Sequence, residues 1–139
     1  MSTESPAAED QSVEVLIVDD NEDAANSLGM LLELEDVGAA IAADAEAALR
    51  LLERLRPTLL LIDIGLPGMN GYELAKHVRK LPGVREATLI ALTGRDAPAD
   101  TTANGFDQFW TKPFDPKKLL EEIKALLDRK RACVPESGT

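Results

Sequence analysis

An apolar run that ends in a carboxylate constrains this chain more than any other part of it. Residues 59–62, Leu-Leu-Leu-Ile, follow Pro57 and precede Asp63, after which Gly65 opens a segment rich in turn-forming residues. Such a run is too short for an independent helix and is typical of a strand buried on both faces. Asp63 is therefore predicted to lie at the carboxyl end of a strand, where open α/β sheets bind ligands.

The same form occurs near the start of the chain. Residues 15–18, Val-Leu-Ile-Val, are followed by Asp19 and Asp20. Because the carboxyl ends of parallel strands meet at one edge of a sheet, we expect these two acids to converge with Asp63 in a single acidic site.

Apolar runs alternate with amphipathic segments along the rest of the chain. Strands are predicted at 13–18, 39–42, 59–62, 89–92 and 107–110. Helix starts are predicted at Asn21, Asp44, the Asn70 and Glu73 capping box, and Asp115. The first of these helices is expected to end near residue 35 and to be closed by Gly38, the second to stop before Pro57, and the third to reach Lys80. Five strands alternating with five helices predict a parallel α/β sheet covered by helices on both faces.

Length and composition indicate one domain. The 139 residues suffice for one hydrophobic core, and we expect a disordered lead-in at 1–12, a folded domain at 13–131 and a flexible tail at 132–139. No apolar segment is long enough to span a bilayer and no signal peptide is visible, which favours a cytoplasmic location. A formal charge of −10 opposes binding to nucleic acid or anionic membranes. Cys133 is the single cysteine, so no intrachain disulfide can form.

The predicted strand ends bring together a chemically coherent set of side chains. Asp19, Asp20 and Asp63 end the first and third strands, while Thr93 and Lys112 end the fourth and fifth. Three carboxylates repel one another unless a cation intervenes, and Mg²⁺ binds carboxylate and phosphate oxygens. A lysine and a hydroxyl opposite the metal could bind the remaining oxygens of a phosphoryl group. The set therefore predicts Mg²⁺-dependent phosphoryl transfer to a carboxylate.

The motifs that carry these residues resemble the receiver domain of two-component response regulators. The likeness rests on the acidic pair at 19–20, Leu-Leu-Leu-Ile-Asp-Ile-Gly-Leu-Pro-Gly-Met-Asn-Gly at 59–71, Ala-Leu-Thr-Gly at 91–94 and Lys-Pro-Phe at 112–114. It implies a CheY-like, flavodoxin-like doubly wound sheet with strand order 2-1-3-4-5. It also implies a phosphorelay protein that takes a phosphoryl group from a phosphohistidine of a sensor histidine kinase or a histidine phosphotransfer protein.

The resemblance also assigns roles to individual residues. It implies that Asp63 is the phosphoacceptor and that Asp20, Asp63 and the backbone carbonyl of Gly65 bind Mg²⁺, with Asp19 acting through water. Thr93 and Lys112 would contact the phosphoryl group. Phe109 takes the position of an aromatic switch whose ring turns inward when Thr93 moves toward the phosphate.

One segment departs from the family pattern. The interval from Thr93 to Lys112 is shorter than is typical of receivers, and residues 95–105 contain a proline and several poor helix formers. The fourth helix is therefore predicted to be short or irregular. Many receivers dimerise through their fourth helix, fifth strand and fifth helix, and we expect this chain not to do so and to be a monomer. We expect no attached effector domain, and therefore output to a downstream protein, in a free-standing protein or one of hybrid-kinase lineage.

Three functional alternatives follow from the same residues. The first is a signalling receiver that catalyses only its own phosphotransfer and dephosphorylation. An aspartyl-phosphate phosphatase or phosphotransferase usually has a second acid two residues after the nucleophile, where this chain has Gly65. A receiver fold that binds partners without phosphorylation is the third. His77 is predicted to be a surface residue, and Trp110 either packs under the last helix or presents a partner surface.

Overall fold

The computed structural model describes residues 13–66, 68–81, 84, 86–94, 105–112 and 115–138, with side chains through residue 129. In this part of the chain the elements are β1 (Val15–Val18), α1 (Glu22–Leu34), β2 (Ala39–Ala42), α2 (Ala45–Leu52), β3 (Leu59–Asp63), α3 (Gly71–Val78), β4 (Thr88–Thr93), β5 (Gln108–Thr111) and α4 (Pro116–Gly138). The predicted lead-in at 1–12 and most of the predicted irregular helix, residues 95–104, lie outside the described residues.

All strand pairs are parallel, and the sheet has the order β2-β1-β3-β4-β5. The register sets Val15 beside Leu59 and Leu59 beside Thr88, so the three central strands end close together. The flavodoxin-like fold and the strand order predicted from the sequence are therefore confirmed. None of the helices in the described part is long and apolar enough to cross a membrane.

The central strands are buried on both faces. Side chains at even positions of β1 and β3 pack in one core layer with α2 and α3, whereas those at odd positions pack in the other with α1 and α4. Burial of each Leu or Ile side chain contributes about 1.5–3 kcal/mol. The two layers fix both surfaces of β3 and therefore hold the end of that strand in place.

The predicted helix caps are confirmed. Asn21, Asp44 and Asp115 each accept a hydrogen bond from a backbone N–H in the first turn of the helix that follows, at 3.1, 2.8 and 2.9 Å. Asn70 and Glu73 form a reciprocal capping box, with N to O distances of 3.0 and 3.2 Å. Local hydrogen bonds of this kind depend only on near neighbours, which is why the sequence predicts them.

The end of α1 differs from the prediction. The expected closing residue was Gly38, but the left-handed residue is Asp36, with φ of 65°. The Asp36 N–H donates to the Glu33 carbonyl at 3.0 Å and the Val37 N–H to the Leu32 carbonyl at 2.9 Å. This pair of bonds is a Schellman motif, and aspartate tolerates the left-handed region better than most residues do.

Other boundaries shift by a few residues. α2 ends at Leu52 rather than just before Pro57, α3 ends at Val78 rather than Lys80, and β5 lies one residue later than predicted. The backbone of the final helix is helical through Gly138. The tail predicted to be flexible at 132–139 is thus helical over 132–138.

Candidate functional site

The carboxyl edge of the sheet gathers the predicted site. Asp19 follows β1, Asp63 ends β3, Thr93 ends β4 and Lys112 follows β5. Asp20, next to Asp19, is exposed, whereas Asp19 is only 3% exposed and Asp63 is partly buried. The three aspartates each place a carboxylate oxygen within 4.8 Å of the others. The convergence of the acids predicted from the strand ends is therefore observed.

Lys112 bridges two of these carboxylates. Its Nζ lies 3.2 Å from Oδ2 of Asp19 and 3.2 Å from Oδ2 of Asp63. The Lys112 backbone N–H donates to the Thr93 carbonyl at 2.6 Å, which fixes the start of the side chain beside β4. Burial, the largest single influence, lowers the pKa of Lys112, but the charges of Asp63 and Asp19 outweigh it and raise that pKa above its usual value. The ammonium is therefore held charged between the two acids.

Asp19 is the most deeply placed acid. Burial raises the pKa of its carboxyl above the usual value, and this effect outweighs the hydrogen bond from the Asn21 N–H at 3.0 Å and the charge of Lys112. The raised pKa means that burial disfavours the charged carboxylate at this position. A further cation close to Asp19 would reduce that penalty.

Asp63 is held by two donors and by the start of α3. Its Oδ1 accepts a hydrogen bond from the Gly65 N–H at 2.9 Å, while its Oδ2 faces Lys112. The Gly71 N–H donates to the Ile64 carbonyl at 3.1 Å, and a Cβ at Gly71 would come within 2.8 Å of the Asp63 carbonyl oxygen. Only glycine allows α3 to begin this close to the end of β3.

The donor set fits a hard divalent cation. Three carboxylates and one ammonium leave two negative charges at the cluster, and the ligand atoms of the acids lie close together. Carboxylate oxygens with water are the ligands that Mg²⁺ takes in proteins. Gly65 is exposed beside Asp63, and its N–H is used for that carboxylate.

Thr93 and Phe109 lie on the same face of the sheet. The Thr93 side chain is buried, and its hydroxyl donates to the Gly94 carbonyl at 3.1 Å rather than to the acidic cluster. Phe109 is half-buried in the layer packed by α2 and α3, and its ring meets Phe106 edge-on with a centroid distance of 5.4 Å. In the register of β4 and β5, Phe109 is paired with Ala91, two residues before Thr93.

Trp110 points to the opposite layer. It packs against the core layer that includes Leu119, Ile123 and Leu127 of α4, and its Nε1 donates to Oε1 of Gln108 at 3.3 Å. Of the two interpretations of Trp110, packing under the last helix is therefore the one observed. His77 is exposed, as the sequence predicted.

Sequence reasoning missed a clamp formed by Arg79 just after α3. The guanidinium donates to the Gly105 carbonyl from Nε and Nη2 at 3.1 and 2.8 Å and to the Ala87 carbonyl at 2.7 Å. It also binds Oδ2 of Asp107 at 2.9 Å, and the same oxygen accepts the Leu89 N–H at 2.9 Å. The partners lie up to 28 positions away, so no local pattern could have indicated them.

Comparisons with known proteins agree on one family. Residues 15–124 match the family model described as the response regulator receiver domain. An uncharacterised 14.6 kDa protein of Leptolyngbya boryana is 38% identical over 115 residues, which is 81% of this chain and 88% of that protein. The DNA-binding response regulator MtrA of Mycolicibacterium smegmatis is 35% identical over 118 residues, which is 83% of this chain and 50% of that protein. The chain thus spans about half the length of that relative.

Solved structures give the same result. A CheY-like response regulator receiver domain protein from Methanospirillum hungatei superposes with a TM-score of 0.78 at 35% identity, covering 86% of this chain and 97% of that one. The signal receiver domain of a signal transduction histidine kinase from Syntrophus aciditrophicus superposes with a TM-score of 0.75 at 32% identity, covering 84% and 90%.

Proposed function

The chain belongs to the response regulator receiver family of two-component signalling, and we propose that it accepts a phosphoryl group on Asp63 from a phosphohistidine. One observation carries this proposal above all others. The Asp63 carboxylate stands at the carboxyl edge of the sheet with its Oδ2 3.2 Å from the Lys112 ammonium, inside a cluster of three acids. The Lys112 ammonium can therefore stabilise the negative charge on the phosphoryl oxygens during transfer to Asp63.

The proposed reaction is an in-line displacement. A carboxylate oxygen of Asp63 forms a bond to phosphorus while the phosphorus–nitrogen bond to the donor imidazole breaks. The imidazole leaves with the bonding electron pair, and the aspartyl phosphate remains. Lys112 then moves from the free carboxylate to a phosphoryl oxygen, so its positive charge stays paired throughout.

Mg²⁺ is the proposed cofactor. Asp20, Asp63 and the backbone carbonyl of Gly65 would hold it directly, and Asp19 would hold it through water. When bound, the ion supplies positive charge to the equatorial phosphoryl oxygens. The two net negative charges of the cluster support this assignment.

Thr93 and Phe109 are the proposed reporters of the phosphoryl group. The Thr93 hydroxyl would leave the Gly94 carbonyl, now 3.1 Å away, and turn to a phosphoryl oxygen. The half-buried ring of Phe109 lies on the same face of the sheet and would fill the space so vacated. This movement would change the surface presented to a downstream protein.

The proposed partners are a sensor histidine kinase or histidine phosphotransfer protein as donor, and a protein target as acceptor of the signal. We propose a cytoplasmic monomer that neither binds nucleic acid nor uses the usual dimer of the family. The charge of −10 supports the absence of nucleic-acid binding, because a negative protein is repelled by phosphate backbones. Sedimentation of the phosphorylated form tests the monomeric state, because a compact dimer through β5 and α4 would contradict it.

Sustained phosphatase activity is the weaker alternative. A phosphatase of this type needs a proton-transferring acid two residues after the nucleophile, and Gly65 offers only an N–H that already binds Asp63. A receiver fold that binds partners without being phosphorylated is the other alternative. The closely spaced acids and Lys112 favour phosphorylation over it.

Intact-mass measurement tests the phosphoacceptor directly. The protein is incubated with Mg²⁺ and a small phosphodonor, and an adduct of about 80 Da, one HPO₃ group, is expected. The Asp63→Asn variant should show none. Asp36→Asn is the matched control, since Asp36 follows α1 at the other edge of the sheet and should leave the adduct unchanged. No adduct on the parent protein, even with a cognate kinase, would favour the binding-only alternative.

Lys112→Ala separates metal binding from the response. Removing the ammonium makes the cluster more negative, so Mg²⁺ affinity should stay the same or rise. The conformational response to phosphorylation, followed by the fluorescence of Trp110, should be lost. An unchanged fluorescence response in this variant would show that Lys112 does not have the proposed role.

A further inference from the structure

The structure contains a buried polar group that the proposed function does not use. Within the described part of the chain, the Tyr72 hydroxyl is buried and has no hydrogen-bond partner. A buried hydroxyl without a partner destabilises the folded state, and such groups are uncommon in native proteins. The free-energy cost of this hydroxyl suggests that it gains a partner in another state of the protein.

Tyr72 lies close to the phosphoacceptor strand. It is the second residue of α3, directly after Gly71, whose N–H donates to the Ile64 carbonyl just beyond Asp63. The space at Gly71 is so tight that the start of α3 cannot move independently of the end of β3. A displacement at Asp63 is therefore transmitted to Tyr72 through the backbone.

An unbroken row of rings joins Tyr72 to Phe109. Tyr72 meets Phe106 edge-on with a centroid distance of 6.0 Å and an interplanar angle of 76°. Phe106 in turn meets Phe109 at 5.4 Å and 78°. The central ring is only 3% exposed, so it contacts both neighbours within a packed core layer.

Phe106 has little freedom to move aside. On one side of it the Gly105 carbonyl accepts a hydrogen bond from Nη2 of Arg79 at 2.8 Å, and on the other the Asp107 backbone N–H donates to the Leu89 carbonyl at 2.8 Å. With its backbone fixed on both sides, Phe106 can respond to its neighbours only by turning its ring. A rotation of Phe109 must therefore change the packing around Tyr72.

We propose that Tyr72 is a positioning residue for Phe109, acting through Phe106, and that its hydroxyl gains a hydrogen-bond partner when Phe109 turns. The unphosphorylated form then carries the unpaired hydroxyl, and the phosphorylated form does not. The resulting energy difference biases the switch toward the phosphorylated arrangement. This inference rests on the proposed phosphorylation of Asp63.

The Tyr72→Phe variant tests the inference because it removes the hydroxyl and keeps the ring. Melting temperatures of parent and variant are measured unphosphorylated and after treatment with Mg²⁺ and a small phosphodonor, with the phosphorylated fraction read by intact mass. The variant should melt above the parent when unphosphorylated and below it when phosphorylated. A purely structural role of the hydroxyl would shift both forms in the same direction.

Trp110→Phe is the control in the opposite core layer, because it removes the indole N–H and part of the ring from a residue outside the row of rings. It should shift both forms of the protein in the same direction. Equal shifts in Tyr72→Phe, with the adduct present, would overturn the inference and leave the phosphoacceptor role intact. A parent protein without an adduct would overturn the phosphoacceptor role and the inference together.

Discussion

The contact between the start of α3 and the end of β3 makes Gly71→Ala a demanding test of the site. The added Cβ would lie 2.8 Å from the Asp63 carbonyl oxygen, 2.8 Å from Cα of Ile64 and 3.2 Å from Cγ2 of Ile62. Two of these atoms belong to the backbone, so they cannot move without shifting the strand end or the helix. Relief of the clash requires a displacement of about 0.5 Å, and overpacking of this kind costs about 1–3 kcal/mol.

The same displacement should impair the chemistry. It moves Asp63 relative to Lys112, and small misplacements of reacting groups reduce rates strongly, here by roughly 10-fold. Urea unfolding followed by the fluorescence of Trp110 gives the stability, and the rate of adduct formation by intact mass gives the activity. We expect the free energy of unfolding and the phosphorylation rate to fall together.

Gly29→Ala is the matched control for this substitution. In the middle of α1, the new Cβ would meet no backbone atom but the ends of two isoleucine side chains, at 3.3 Å from Cδ1 of Ile41 and 3.9 Å from Cδ1 of Ile17. Because glycine costs about 1 kcal/mol relative to alanine inside a helix, this variant should be as stable as the parent or up to about 1 kcal/mol more stable. Phosphorylation should proceed at the parent rate. The reasoning is refuted if Gly71→Ala matches the parent in both measurements, or if the two variants lose equal stability.

Two further predictions concern the clamp and the tyrosine. Arg79→Ala should lower the free energy of unfolding by about 2–3 kcal/mol, because the Ala87 and Gly105 carbonyls would lose their charged hydrogen-bond donor. Asp107→Asn should cost about 1 kcal/mol or less, because the carboxylate is half exposed; denaturation curves that reverse this order would contradict the clamp. Burial raises the pKa of Tyr72, the only tyrosine of the chain, above 10.0, so the tyrosinate absorbance should appear at higher pH in the folded protein than in urea. The stability that this shift contributes is present below pH 10 and is lost as the pH rises through the folded pKa, and identical titrations in both states would exclude it.

Features that depend on near neighbours followed directly from the sequence. Asn21 and the Asn70 and Glu73 pair cap their helices as expected, because a cap needs only a side chain and an N–H two or three residues away. The apolar runs before Asp19 and Asp63 formed strands for a similarly local reason. The family pattern then ordered those strands, and parallel order alone places the acids at one edge.

The ends of the helices, and the residues that close them, were predicted less accurately from the sequence. Asp36 takes the left-handed conformation that the sequence pattern assigned to Gly38. Glycine is preferred there by roughly 1–2 kcal/mol at most, and such a preference is overridden when the helix must end at a different point to pack. The final helix continues through Gly138, eleven residues past the buried Leu127.

What the sequence by itself determined is the set of groups at the site: three aspartates, a threonine and a lysine at the ends of four of the five strands. Their order along the chain and the alternation of strands and helices require them to meet at one edge of a parallel sheet. Tertiary structure alone decided which of them touch. Lys112 pairs with Asp19 and Asp63, whereas the Thr93 hydroxyl turns to Gly94, because those contacts depend on the distance between strands that local pattern does not encode.

The same distinction applies to the path that leads away from the site. The Arg79 clamp and the row of rings from Tyr72 to Phe109 join residues up to 37 positions apart, so they exist only once the sheet has formed. In a uniformly apolar strand, periodicity cannot assign each side chain to one of the two faces. Packing of α2 and α3 against one face of the sheet made that assignment, and it placed the Tyr72 hydroxyl, which has no hydrogen-bond partner among the described residues, against that core layer.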